Sequence, residues 1–178
     1  MADSIHNMLE PNSSGTVGAG VEILTPPTLI DLKAGNEVAE KIRELNSIVL
    51  PTVPNKWVHQ ASADAIWIGP NHWLIRLPES RGQAMLKRLQ KLIPASVGAA
   101  TDVSAAYTGV TVRRDHAIAL LSQGCPLDFF LMNNGDCAQS ILARTSVLIL
   151  CTEKQFEVWF EQSYTNYMLR WLNSRIAQ

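Results

Sequence analysis

The sequence is short of charge of either sign. Its 178 residues carry 15 Lys and Arg against 16 Asp and Glu, so the formal net charge is −1, and charged residues make up 17% of the chain. The usual fraction in soluble domains is about 25%. Proteins that bind nucleic acid through its phosphates need a basic patch or stripe, and this sequence has none. The composition excludes general polyanion binding, and we expect no nucleic acid partner.

The sequence also lacks a targeting segment and a long apolar run. The start, MADSIHNMLEPNSSGTVGAG, has neither a basic nor an apolar signal region. No apolar run approaches the ~18 residues that cross a bilayer. Cys125, Cys137 and Cys151 are odd in number and form no C-x-x-C pair, a pattern typical of reduced, buried thiols. These features predict a cytoplasmic chain with no membrane partner.

Motifs that carry catalysis are missing as well. The sequence contains no Walker loop, no G-x-S-x-G elbow, no H-E-x-x-H and no kinase signature. Its four histidines, none of them spaced as a metal-binding pair, are His6, His59, His72 and His116. Asp102 and Ser104 can contact a ligand, but these residue types at a strand end more commonly form turns. We therefore predict no catalytic, cofactor-binding or metal-binding residue in this chain.

The first 20 residues differ in composition from the rest. They are rich in Ser, Gly and Asn and hold few large apolar side chains, too few to offset the entropy of ordering them. Gly15, Gly18 and Gly20 imitate part of a dinucleotide-binding fingerprint, yet no strand is predicted before them and no helix after them. The sequence predicts a disordered or partner-ordered tail over 1–20 and a single domain over 21–178.

What is present after residue 20 is a regular order of elements. The predicted elements of the first half are an extended segment over 21–32, a helix in NEVAEKIRELN, a hairpin that turns at residues 69–71, a helix over 80–92 and a strand over 97–103. The first helix shows apolar residues at i, i+4 and i+7. Ser80 and Gln83 have the spacing of a capping box. The order is β-α-β-β-α-β.

The second half starts the same order again. The predicted elements are a strand over 107–112, a helix in HAIALLSQ that Asp115 caps and Gly124 ends, a hairpin of SVLILC and FEVWF, and a closing helix with an apolar stripe from Tyr164 to Leu172. Two successive units of this kind predict an α+β fold. We expect two tandem ferredoxin-like split β-α-β units with antiparallel sheets, packed as one pseudo-duplicated domain.

Two of the tryptophans indicate a strand face that must pack against another element or another protein. Trp67 and Trp159 lie on the strand face opposite their apolar neighbours, such as Ile66 and Val158. If that other face is core, the tryptophan face must pack against a helix of the same domain or against a partner protein. Base stacking is not expected without a cationic groove. We interpret Arg113-Arg114 as a solvated strand end rather than a phosphate site.

Four segments together resemble the sarcosine oxidase gamma subunit family. In chain order, they are WIGPNHWLIRLP, TDVSAAYTGVTV, GCPLDFF followed by GDCAQSILARTSVLIL, and YMLRWL. The resemblance runs from about residue 22 to 176. The sequence departs from the family pattern where Asn71-His72 replaces an acidic residue and where Arg113-Arg114-Asp115 replaces Gly-Pro-acidic. The resemblance implies a fold similar to the folate-binding domain of the glycine cleavage T-protein.

The resemblance also implies partners. In that family the gamma chain is one subunit of a heterotetrameric flavoenzyme that demethylates sarcosine, beside alpha, beta and delta subunits. The cofactors FAD, FMN, NAD, tetrahydrofolate and zinc are then expected in the partner subunits and none in this chain. The implied function is a non-catalytic subunit that acts in assembly and stability of an enzyme acting on sarcosine or a related N-methyl amino acid.

Two other functions stay open at this point. A stand-alone folate-binding protein of the T-protein type, in one-carbon transfer or iron–sulfur maturation, is suggested by the implied fold and by Cys137, although GDCAQS lacks the Gly-Gln-Glu of that signature. A homo-oligomeric structural protein needs nothing beyond an exposed aromatic surface.

Overall fold

The computed structural model describes residues 16–18, 20–24, 27–46 and 48–176. Two compact units share these residues. The first unit consists of residues 26–105 with 135–138, and the second unit consists of the N-terminal residues up to 25, 106–134 and 139–178. The predicted tail lies outside the described residues over 1–15.

The first described elements are two short strands. β1 (Thr16–Gly18) pairs antiparallel with β2 (Val21–Ile23), so the end of the predicted tail is a strand. Gly20 connects them at a φ of 81°, a conformation that favours glycine.

The first unit has one five-stranded sheet and two helices. Its elements are β3 (Thr28–Ala34), α1 (Asn36–Asn46), β4 (Trp57–Val58), β5 (Asp64–Gly69), β6 (His72–Leu77), α2 (Glu79–Leu92) and β7 (Gly98–Asp102). The strands are ordered β4-β5-β6-β3-β7, and each neighbouring pair is antiparallel. Asn71 completes the β5–β6 turn at a φ of 56°.

The core of this unit forms where the apolar faces of its two helices pack against the sheet. The core cluster contains Val38 and Ile42 of α1, Met85 and Leu89 of α2, and Ile30, Leu32, Trp73 and Ile75 of the sheet. Gly82 lets α2 lie against the sheet, because a Cβ there would come within 2.3 Å of Thr28 Oγ1. The predicted helices therefore bury the apolar stripes that identified them in the sequence.

In its described residues, the second unit has a six-stranded sheet and two α-helices. Its further elements are β8 (Tyr107–Arg113), α3 (Arg114–Leu121), β9 (Cys137–Leu142), β10 (Thr145–Cys151), β11 (Gln155–Glu161) and α4 (Thr165–Ile176). The strands are ordered β1-β2-β8-β11-β10-β9. The pairings of β8 with β2 and β11 and of β10 with β11 are antiparallel.

The two units repeat one topology with a change of connection. In the first unit the central strand β3 lies between β6 and β7, and β7 follows α2 in the chain. In the second unit β8 lies between β11 and β2, so the N-terminal strand β2 occupies the place of a strand after α4. Both ends of the extended segment predicted over 21–32 are strands, and these strands, β2 and β3, belong to different sheets.

The fold class predicted from the sequence is confirmed: α+β, with two antiparallel sheets in split β-α-β order. β9 was not predicted. Both predicted caps are wrong, because α2 follows Pro78 and α3 follows Arg113, with no side-chain cap from the described residues. On α4, Met168 and Leu172 are buried, whereas Tyr167 is about half exposed, as is Tyr164, which precedes the helix. The single domain over 21–178 stays a prediction.

The role of β2 is tested by substitution of its inward side chain. Val21 is fully buried and pairs with Val112 of β8, whereas Glu22 on the same strand is exposed. We expect Val21→Ala to lower the free energy of unfolding by about 2 kcal/mol and the control Glu22→Ala to change it by less than about 0.5 kcal/mol, measured by urea denaturation. Equal effects of the two substitutions would contradict this role.

Candidate functional site

The histidines with described positions are bound to charged neighbours. His59 Nδ1 lies 2.7 Å from Asp64 Oδ1, and the Asp64 carboxylate also accepts from Arg76 at 2.7 Å. His72 Nε2 lies 2.9 Å from Asp31 Oδ2 on the neighbouring strand. These pairs orient the imidazole rings. His6 lies outside the described residues.

The remaining histidine has a different partner. The Arg113 guanidinium lies 2.7 Å from His116 Nε2, and because arginine carries only donors, this nitrogen accepts the hydrogen bond. Across the described ranges, no group of three or more His, Cys, Asp or Glu side chains is placed to hold a metal ion. The prediction that this chain has no catalytic, cofactor or metal residue stays a prediction.

Asp102 and Ser104 form a turn. The backbone N–H and the hydroxyl of Ser104 donate to Asp102 Oδ1 at 2.9 and 2.5 Å, and both bonds hold the pKa of the Asp102 carboxyl below its usual value. The Ser104 hydroxyl oxygen in turn accepts from the Leu29 N–H at 3.0 Å. The predicted turn role is confirmed, since Asp102 accepts both the backbone N–H and the hydroxyl of Ser104, two residues further along the chain.

The three cysteines are buried thiols. Cys137 begins β9, and its Sγ donates to the Trp67 carbonyl at 3.4 Å. Burial, with the neighbouring Asp136 carboxylate, raises the pKa of the Cys137 thiol to about 12. A thiol of that pKa is not a nucleophile near neutral pH, so the interpretation of the cysteines as buried thiols is confirmed.

The Arg113-Arg114 pair has two different roles. Arg113 is exposed and forms an ion pair with Asp115 at 2.9 Å, as expected of a solvated strand end. Arg114 contradicts that interpretation, because its guanidinium donates to the carbonyls of Met132 and Thr152 at 2.8 and 3.2 Å. Its side chain therefore joins segments of the second unit that are distant in sequence.

A groove of about 680 Å³ opens on the first unit beside Trp67. Trp67 and Trp73 are partners across β5 and β6. Both line the groove, together with Glu40 and Arg43, which form an ion pair at 2.5 Å. None of the described residues that line it is a histidine, cysteine or lysine. The groove offers aromatic contact area and one ion pair, a combination suited to an apolar or aromatic side chain.

The two tryptophans that the sequence analysis left unassigned have different environments. Trp159 is 3% exposed, and its indole lies over Gly109, where a Cβ would come within 2.9 Å of the ring. Its Nε1 donates to Glu157 Oε2 at 3.1 Å. Trp67 packs against the core cluster of the first unit and is only partly buried. Trp159 is thus a core residue, and Trp67 is the tryptophan that a partner can contact.

One exposed apolar surface was not predicted from the sequence. Phe130 and Leu131, in the loop that follows α3, are 76% and 74% exposed. The signal was present in LDFFLMNN, a run of four apolar residues among polar ones in a segment without predicted structure.

Comparisons with known proteins agree with this fold. The sequence model of the family described as sarcosine oxidase, gamma subunit, matches residues 34–178. The chain is similar to a structure of heterotetrameric sarcosine oxidase from Corynebacterium sp. U-96 in complex with pyrrole 2-carboxylate, with a TM-score of 0.82 and 19% identity over 99% of this chain and 94% of that chain. No curated protein matches it significantly.

A second structure is similar over part of its length. It is the glycine cleavage system aminomethyltransferase T from Bartonella henselae, with a TM-score of 0.64 and 11% identity over 93% of this chain and 48% of that chain. The chain thus spans about half the length of that enzyme. At such identities both similarities show the fold. No helix in the described ranges is both long and apolar enough to cross a membrane.

Burial of the thiols predicts slow chemistry. Cys125, Cys137 and Cys151 are all buried, and the pKa of Cys137 is raised. We therefore expect a thiol-specific chromogenic reagent at pH 8 to label none of them while the chain is folded. In guanidinium chloride all three should react at once. A thiol that reacts rapidly in the folded chain, identified by Cys→Ser variants, would contradict this expectation.

Proposed function

The chain belongs to the sarcosine oxidase gamma subunit family, and from that membership we propose that it is the gamma subunit of a heterotetrameric, sarcosine oxidase-like flavoenzyme. The family match over residues 34–178 carries the proposal. The similarity of fold over 99% of the chain to a structure of heterotetrameric sarcosine oxidase supports it. The proposed reaction of the complex is oxidative demethylation of sarcosine or a related N-methyl amino acid in the cytoplasm.

Within that complex we assign this chain a non-catalytic role in assembly and stability. The support is in the side chains: the described histidines are held by carboxylates or by Arg113, and Asp102 and Ser104 form a turn. The thiol of Cys137 is buried with a raised pKa. We propose that FAD, FMN, NAD, tetrahydrofolate and zinc belong to the alpha, beta and delta subunits.

Purification of the native assembly tests this proposal. The chain, tagged and expressed from its own locus, should co-elute with flavin-containing subunits identified by mass and by flavin absorbance. Genes for flavoprotein alpha and beta chains should lie beside its own gene. The proposal fails if the chain elutes as a lone monomer while those flavoproteins, present in the same lysate, elute without it.

A stand-alone folate-binding protein is the second candidate. The observation that favours it is the fold shared with the aminomethyltransferase over 93% of this chain. The chain covers 48% of the length of that enzyme. Calorimetry of the isolated chain with tetrahydrofolate decides between the two: saturable binding supports this candidate, and no heat of binding excludes it.

The subunit role predicts different effects for the two tryptophans. Trp67→Ala should lower the yield of the complex while it shifts the melting temperature of the isolated chain by only a few degrees, because Trp67 is partly exposed. Trp159→Ala is the matched core control. It removes a buried ring and the partner of Glu157, so it should lower the stability of the isolated chain by about 3–5 kcal/mol.

Co-purification yield and thermal unfolding measure the two effects. A loss of complex and of isolated-chain stability in the same proportion for Trp67→Ala would contradict an interface role for Trp67.

A further inference from the structure

We propose that Phe130 and Leu131 are the anchor by which this chain docks on another subunit of the oxidase, in an apolar pocket of that subunit that has a basic rim. The inference rests on the proposed function, since it names the surface and the chemistry of the partner. It is carried by the exposure, the rigid support and the charge of the loop between α3 and β9.

Exposure sets these two residues apart from the other large apolar side chains. Phe130 and Leu131 are 76% and 74% exposed, whereas the next, Val53, is 59% exposed. The two are also adjacent in the chain, so their apolar area is contiguous. Contiguous exposed apolar area of this kind marks interaction sites, and aromatic residues are enriched at the centres of protein interfaces.

The loop is anchored by the residues on either side. Phe129 is 1% exposed and packs edge-to-face on Phe156 of β11, with ring centroids 5.3 Å apart. Met132 is 8% exposed. Two side chains turned inward therefore flank two turned outward. A loop held in this way presents Phe130 and Leu131 in a defined place rather than as a collapsed apolar cluster.

Hydrogen bonds hold the backbone of the exposed pair. The Phe130 N–H donates to Asp128 Oδ1 at 3.0 Å, and the Leu131 N–H donates to the Asp128 carbonyl at 3.3 Å. The Leu131 carbonyl accepts from Asn133 Nδ2 at 3.1 Å. The turn is thus closed from both ends by its own polar residues, which leave the two apolar side chains uncovered.

Arg114 ties this turn to the sheet. Its guanidinium donates to the Met132 carbonyl at 2.8 Å and to Cys151 Sγ at 3.0 Å, and it lies 5.4 Å from the centre of the Phe156 ring. Arginine makes such a fixed fork of several bonds better than lysine does. The surface is ordered before a partner binds, which reduces the entropy lost on association.

Charge decides what kind of partner fits. No lysine or arginine occurs between Arg114 and Arg144. The acidic residues of this stretch are Asp115, Asp128 and Asp136. Asp115 pairs with Arg113, and Asp136 pairs with Lys56. The third carboxylate, that of Asp128, is exposed and lies two residues before Phe130.

A second copy of this chain does not fit such a surface. In a two-fold dimer the same patch meets itself, which would bring two exposed Asp128 carboxylates into one interface. A different chain that surrounds an apolar pocket with lysine or arginine is complementary in both shape and charge. We therefore assign this surface to contact with a different subunit.

The anchor is tested in the reconstituted complex with exposed residues only. Phe130→Ser/Leu131→Ser should weaken binding to the immobilised partner subunits by roughly 30-fold, the loss expected for an interface hot spot. The melting temperature of the isolated chain should stay unchanged, because both side chains are exposed. The matched control is Val53→Ser/Val97→Ser, which removes two apolar side chains that are 59% and 49% exposed and should leave affinity unchanged.

The basic rim is tested by Asp128→Asn. The asparagine oxygen can still accept from the Phe130 N–H, so the turn is kept while the charge is removed. We expect about threefold slower association in low salt and a weaker dependence of the association rate on salt concentration than for the wild type.

The outcomes separate this inference from the proposed function. If the wild-type chain binds no oxidase subunit, the proposed function fails and the anchor with it. If the wild type binds and the Phe130/Leu131 variant binds equally well, the anchor alone is wrong. If mass measurement finds a wild-type dimer that the variant converts to a monomer, the surface is a self-interface, and a hetero-subunit pocket is excluded.

Discussion

The antiparallel pairing of β2 with β8 is the constraint on which the second unit depends. β8 is a central strand whose inward side chains Val110 and Val112 are fully buried, and a central strand needs hydrogen-bonded neighbours on both edges. β11 supplies one edge and β2 the other. The N-terminal strands β1 and β2 therefore complete a sheet whose other strands come after residue 106, and β2 closes the repeat of the two units.

The polar side chains described above bind mainly to other groups of the same chain. Asp64 holds both Arg76 and His59, Ser104 and Asp102 close a turn, and Arg114 joins Met132 and Thr152. Among the described residues, these bonds connect neighbouring strands, turns and loops. The low charged fraction of 17% and the exposed Phe130 and Leu131 fit the docking role that we propose for this chain.

Much of the fold could be predicted because local patterns carried it. The α1 helix was predicted over the residues that form it, since Val38 and Ile42 repeat with the helical period and both reach the core. The β5–β6 hairpin was predicted from β-branched and aromatic runs on either side of a turn that Asn71 completes. β9 was missed because CAQSIL, at the edge of the sheet, contains one β-branched residue and no aromatic residue. The predicted caps were wrong because α2 and α3 begin one residue before Ser80 and Asp115, which therefore lie in the first helical turn, and Pro78 and Arg113 stand at the cap positions.

The candidate surfaces were harder to predict than the elements. Trp67 and Trp159 look alike in the sequence, because both are aromatic residues in apolar strands. Only the structure distinguishes them: the Trp159 indole packs over Gly109, whereas Trp67 lies at the edge of a groove. The sequence by itself determined the fold class, the helices and the hairpins, because periodicity and turn residues act over a few positions. Tertiary structure alone decided the sheet of β2, the partners of Arg114 and the exposure of Phe130, because each depends on contacts between residues distant in sequence, which no local pattern encodes.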